Sequence, residues 1–177
     1  MLSKPEHITF DPATYTLLLT VEQVELSNCI AEVSEEAFEL GLQLKEEFHI
    51  TVIGFRVGKQ IKEMYATLQI ENRIAIENGI RTFANSINWE FTPGGQRALY
   101  IEKKYKNKQG GFDLRKSIIH LLEMPAVQDF YKELNDVFGT TFDIPPPHVT
   151  LFVGEDGQGI GIDSEKVLRE LSPKEIF

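Results

Sequence analysis

The sequence predicts an α+β fold, antiparallel sheet with helices packed outside it. Three observations carry that expectation. Strand signals recur, as alternation at 14–21 and 97–105 and as short β-branched and aromatic runs at 48–55 and 148–153. Stretches at 59–85 and 126–138 instead repeat their apolar residues every three to four positions, the period of a helix. The glycines lack the G-x-G-x-x-G spacing and do not lie between an early strand and its first helix, so a parallel dinucleotide-binding unit fits poorly.

Taken in order, residues 1–12 read as an irregular lead-in. Residues 14–21 set Thr14, Thr16, Leu18 and Thr20 against Tyr15, Leu17, Leu19 and Val21, a strand with both faces partly covered. Between 24 and 47 two patterns compete. Ser34 could cap a short helix whose first turn holds Glu35 and Glu36, yet Gly41 interrupts it and Leu40, Leu42 and Leu44 alternate like a strand. Residues 48–55 form the next strand, and Gly58 ends it. Residues 59–85 read as helix, long enough to predict a break near Asn72 or Gly79. A strand at 87–91 runs into a turn at Thr92-Pro93-Gly94-Gly95. Residues 97–105 are extended, with Arg97, Leu99, Ile101, Lys103 and Tyr105 on one face and Ala98, Tyr100, Glu102 and Lys104 on the other. After a turn at 106–111, His120 is expected in a helix, and Met124-Pro125 separates that segment from the helix at 126–138, which Gly139 stops. Beyond residue 153 lies a glycine-rich stretch, then a last short helix opened by Asp163 or Ser164 and running to Leu171.

With 177 residues the chain fits one domain, with room for two lobes. No apolar stretch approaches the roughly 20 residues that cross a bilayer, and no apolar segment of a signal peptide follows Lys4. Cys29 is the single cysteine, which excludes a disulfide scaffold within one chain, makes a buried thiol the expected role, and points to a reducing cytoplasm. A formal net charge of -9 argues against wrapping long nucleic acid by neutralising many phosphates, while leaving recognition of one phosphate open.

The chemistry concentrates in two similar strands. Pro145-Pro146-Pro147 holds the chain extended into His148-Val149-Thr150-Leu151-Phe152-Val153-Gly154, and Phe48-His49-Ile50-Thr51-Val52-Ile53-Gly54 repeats that pattern. In a strand, residues two apart share a face, so each segment presents an imidazole beside a hydroxyl. Phe48 and Phe152 are either core or cleft wall. Of the four histidines, His7 also has Thr9 two places on, but it precedes Asp11-Pro12 and lacks the following apolar run and glycine. His49 and His148 are therefore the working pair and His7 a decoy. His120, between Ile119 and Leu121, is expected to pack rather than react.

Two imidazoles with unperturbed pKa values near about 6.5 suit one general base and one general acid at neutral pH. Threonine hydroxyls can donate to non-bridging oxygens as charge builds on phosphorus. For a cyclic phosphodiester, one histidine takes a proton from attacking water while the other protonates the departing ribose oxygen. A metal is not expected, since neither H-E-x-x-H nor a cysteine-containing ligand set is present. Arg97, Tyr100, Lys103 and Tyr105 are candidates to touch phosphate or stack on a base, although the lysine cluster at 103–108 also reads as a solvated hairpin.

His49-Ile50-Thr51-Val52 and His148-Val149-Thr150-Leu151 resemble the two signature motifs of the 2H phosphoesterase superfamily, which includes RNA 2′,3′-cyclic phosphodiesterases and bacterial proteins named for RNA 2′,5′-ligase activity. The resemblance covers the chain from the strand at residue 14 to Gly154, with 155–177 as a candidate family-specific tail. It implies one bilobal domain over 1–177, its two pseudo-symmetric lobes of antiparallel sheet flanked by helices around a central cleft. By the same resemblance His49 and His148 are the acid–base pair and Thr51 and Thr150 hold the phosphate, without cofactor. The expected activity is metal-independent hydrolysis of a cyclic or 2′,5′-linked phosphodiester, with a small nucleotide or RNA terminus as partner, no long duplex and no membrane, and a monomer favoured. The alternatives are a nucleotide- or RNA-end-binding module without turnover, and reversible 2′,5′ ligation. Which histidine is the base stays open.

Overall fold

A computed structural model describes residues 2–92 and 97–176. Thr16–Val21 forms β2, and its alternation sets its faces: Leu17, Leu19 and Val21 are buried, while Thr16, Leu18 and Thr20 are half-buried. Along its outer edge runs β1, His7–Asp11, paired from His7↔Thr20 to Asp11↔Thr16. The expected irregular lead-in is thus partly an edge strand. Its backbone pairing is tertiary, and Phe10 is its one buried apolar side chain, too little to register as a pattern.

The ambiguous stretch at 24–47 resolves into a 3-10 turn at Gln23–Leu26, helix α1 at Ser27–Glu39 and the two-residue strand β3 at Gln43–Leu44. Cys29, Val33 and Ala37, four apart, are the buried stripe of α1. Ser34 is not a cap: it lies mid-helix and its Oγ donates to the Ile30 carbonyl at 2.6 Å. Gly41, at φ +67°, lets the chain leave the helix in the left-handed region.

Phe48–Ile53 is β4, followed by α2 at Phe55–Met64 and α3 at Ile70–Ser86. The helical stretch therefore breaks at 65–69, earlier than expected. Gly58 does not end the strand region but sits in α2, where a Cβ would lie 2.4 Å from the Thr14 carbonyl oxygen, so α2 packs directly on backbone there. The strand expected at 87–91 is reduced to bridges Ser3↔Phe91 and Thr92↔Glu123, while the Trp89 indole is buried and donates to the Ala84 carbonyl at 2.8 Å. From Pro93 onward the expected turn lies outside the described residues.

Ala98–Lys106 is β5 and Phe112–Leu121 is β6, a hairpin paired from Ala98↔His120 to Lys106↔Phe112. His120 is accordingly on a strand rather than a helix, fully buried, with its Nδ1–H donated to the Leu121 carbonyl at 2.9 Å. The local apolar spacing near Ile118 and Ile119 suits either element, and pairing with β5 decides it. Ala126–Phe138 is α4, ended by Gly139 in the left-handed region at φ +59°. His148–Val153 is β7, Glu165–Glu170 is α5, and Lys174–Glu175 is β8 on the edge of β5. Ser164 caps α5, accepting from Val167 N–H at 3.2 Å.

These strands make one sheet in the order β1-β2-β4-β7-β6-β5-β8, with β3 alongside part of β7 and every described pairing antiparallel. The main core gathers the inward residues of α1 to α4 and of the central strands, including Val57, Ile61, Phe130, Ile50, Val52, Val149 and Leu151. A smaller cluster joins Leu99, Ile101 and Ile119 to Ile160, Ile162 and Leu168. The alternation of β5 therefore divides between the two clusters, as its sequence predicts. The architecture is mixed α+β, antiparallel sheet flanked by helices. Among the described residues no helix is long and apolar enough to cross a membrane.

Candidate functional site

The two H-x-T segments meet at the centre of the sheet. Their middle residues, Ile50 and Val149, are register partners and both are fully buried in the main core. Side chains alternate across a strand, so anchoring Ile50 and Val149 on the core side sends His49, Thr51, His148 and Thr150 to the other. The antiparallel pairing runs His49 to Thr51 against Thr150 to His148. From the core side, Tyr131 of α4 donates its hydroxyl to the Val52 carbonyl at 2.8 Å and pins β4 against the helix.

All four side chains line one cavity of about 570 Å³. Segment 157–163 forms another wall, so the candidate tail is part of the cavity. Asp163 seats its carboxylate against Gly54, where a Cβ would lie 2.8 Å from Oδ1. Gly159 brings its backbone to Thr150, with a Cβ position 3.6 Å from Oγ1. Arg56, two residues beyond Gly54, reaches Asp143 at 2.6 Å and Asp163 at 3.8 Å.

Electrostatically the cavity opposes the chain as a whole. Among the described lining residues Lys45, Arg56 and Lys103 face one carboxylate, Asp163, within a chain of net charge -9. Arg56 is engaged by Asp143 and Asp163, so Lys45 and Lys103 are the lining cations placed to attract an anion. Burial pulls the pKa of His148 below its ordinary value and His49 pulls the same way; the Pro146 carbonyl and Asp163 act oppositely. The His148 Nδ1–H donates to that carbonyl at 2.7 Å, which fixes the neutral tautomer and leaves Nε2 with its lone pair. His49 is also held low, first by burial and then by Lys45, with Glu47 opposing. A bound anion opposes this bias, since negative charge near an imidazole favours its protonated form. Anion binding and histidine protonation are therefore coupled at this site.

Lys103 and Tyr105 also line the cavity. The Tyr105 ring lies under the Arg115 guanidinium at 4.2 Å, with the Lys103 ammonium 5.2 Å from its centre. Arg97 and Tyr100 are not brought there. Arg97 is exposed just before β5, 3.7 Å from Glu175, and Tyr100 is buried in the main core with its hydroxyl bonded to Glu102. Phe48 and Phe152 both belong to the main core. His7 lies on β1, two strands from His49, exposed and 3.1 Å from Glu6. Cys29 is buried in α1.

Sequence reasoning missed Lys45, Phe55, Arg56 and Asp163. The only local signal was a glycine-ended motif strand followed at once by an aromatic and an arginine, Gly54-Phe55-Arg56. Among the described residues no group of three or more His, Cys, Asp or Glu side chains is arranged to hold a metal ion. Comparison of the chain with protein-family models, with curated proteins and with solved structures finds no match.

Proposed function

We propose that the chain is a metal-independent phosphodiesterase of the two-histidine, 2H type, hydrolysing a cyclic or 2′,5′-linked phosphodiester of an RNA end or small nucleotide. The observation that carries this reading is the pairing of Ile50 with Val149, the middle residues of the two H-x-T segments, above one cavity lined by both histidines and both threonines. One imidazole takes a proton from the attacking water, and the other delivers one to the departing ribose oxygen. Thr51 and Thr150 donate to the non-bridging oxygens, with Lys45 and Lys103 supplying positive charge as phosphorus becomes pentacoordinate. The histidines exchange roles in the reverse, ligating direction.

The order of elements supports a two-lobed reading of the fold. A hairpin, a helix and a motif strand occur as β1-β2, α1, β4, and again as β5-β6, α4, β7. The sheet order places the two motif strands side by side with their hairpins outward. A duplicated unit related by an approximate two-fold through Ile50 and Val149 accounts for both facts.

The test is turnover, with EDTA present, of ribonucleoside 2′,3′-cyclic monophosphates and of 2′,3′-cyclic-ended and 2′,5′-linked oligoribonucleotides. Metal-independent hydrolysis of one class is the expected result. A folded protein that binds these ligands and turns none over refutes the enzyme reading in favour of a binding module.

A further inference from the structure

The two halves of the sheet differ on the side that carries the histidines. Over β5 and β6, Leu99, Ile101 and Ile119 are covered by Ile160, Ile162 and Leu168. Over β2, the corresponding positions Thr16, Leu18 and Thr20 remain half-exposed, and Thr16 and Leu18 line the histidine cavity. Ile160, Ile162 and Leu168 thus close the sheet over Leu99, Ile101 and Ile119, while the face of β2 beside the cavity stays open to a longer ligand.

A second cavity of about 540 Å³ shares one lining residue with the first. Phe55 lines both, and Thr14, Lys59, Lys62 and Glu63 are among the other residues of the second. Phe55 is 68% exposed at the first turn of α2, an aromatic ring left in solvent between two cavities. Lys59 and Lys62 follow it on the same helix. Lys62 donates to the Ala13 carbonyl at 2.9 Å and retains two N–H groups, while Lys59 is 3.8 Å from Glu63, an exposed pair that an anion can open. An aromatic face followed by ammonium groups is the arrangement that binds single-stranded nucleic acid, the ring stacking on a base and the cations meeting the backbone.

Building on the phosphodiesterase reading above, we infer that Phe55, Lys59 and Lys62 form a subsite for the nucleotide next to the reacting one, so that the substrate is the end of an oligoribonucleotide rather than a free mononucleotide. Phe55 stacks on the neighbouring base, and Lys59 and Lys62 meet the phosphate that follows.

Calorimetric titration with a 3′-phosphorylated mononucleotide and a 3′-phosphorylated trinucleotide tests this on the intact chain. The trinucleotide is expected to bind about 10-fold tighter or more, within the range of one base stacked on an aromatic ring. The K59Q/K62Q double variant should leave mononucleotide affinity unchanged and reduce the gain to the share that stacking on Phe55 supplies. Its log Kd against log salt should be shallower by about 0.7 per phosphate contact removed. Lys59→Gln alone, which leaves the Lys62 bond to Ala13 intact, should move both quantities part of the way. Equal affinity for the two ligands, or a gain that survives the double variant with its salt slope, overturns the subsite. The length gain is read from binding, so a failure of turnover counts against the phosphodiesterase alone.

Discussion

The same substitution in two consecutive helices should change stability in opposite directions. In helix interiors, glycine to alanine favours folding by about 1 kcal/mol, through backbone entropy and helix propensity. Gly79 lies exposed in α3 with open space at its Cβ position, so Gly79→Ala should realise that gain. At Gly58 the new Cβ meets backbone: 2.4 Å from the Thr14 carbonyl oxygen and 2.9 Å from that of Tyr15. Reaching ordinary contact at 3.4 Å requires α2 and the β1–β2 turn to part by about 1 Å. Overpacking of this kind costs about 1–3 kcal/mol or more, and with a rigid carbonyl as the obstacle the upper part of the range applies. The net effect of Gly58→Ala is then a loss of about 1–2 kcal/mol. For a chain of 177 residues each kcal/mol moves Tm by about 2–4 °C. Thermal unfolding followed by circular dichroism should show Gly79→Ala melting about 2–4 °C above the parent and Gly58→Ala about 2–8 °C below it. A Gly58→Ala Tm at or above the parent's would refute the close approach of α2 to Thr14.

Three further outcomes follow from the site. The depressed pKa of buried His148 means that the unfolded chain takes up protons first, so stability present above about pH 6.5 should decline as pH falls below it; urea unfolding of His148→Gln should show a weaker decline. Thr51→Val and Thr150→Val should each lower kcat/KM by about 10-fold or more, through lost hydroxyl donation to the phosphate, with kcat reduced at saturating substrate; an effect confined to KM would assign the threonines to ground-state binding. Tyr131→Phe removes the buried hydroxyl that donates to the Val52 carbonyl and should cost about 1–3 kcal/mol in chemical denaturation, with the larger value if the carbonyl stays dry.

What could be read in advance divides along physical lines. β2, β4 and β5 are legible from their alternation, and β7, buried on both faces, from a short β-branched and aromatic run between Pro147 and Gly154. α4 was legible from its apolar stripe and the glycine after it. β3 and β8 contribute two residues apiece, and β1 is an edge held by backbone pairing, so none leaves a periodic trace. β6 was misread near His120 because its apolar cluster is compatible with helix until β5 is beside it. At the site, the shared face of His49 and Thr51, and of His148 and Thr150, follows from strand geometry alone. Lys45, Arg56 and Asp163 come from the loop after a short strand, a helix start and the end of a glycine-rich segment, and only the tertiary fold brings them to one cavity. Arg97 and Tyr100 show the converse: suitable residue types beside or on β5, yet one is held in an ion pair and the other in the core.

The central claim, that His49 and His148 act together on one phosphodiester, is tested most directly by single-turnover rates of His49→Ala, His148→Ala and the double variant on the preferred substrate, with EDTA present. Acid–base partners acting in one transition state should each lower the rate by about 100-fold or more with Tm nearly unchanged, and the double variant should fall short of the product of the two losses. A rate in either folded single variant equal to the parent's would contradict it.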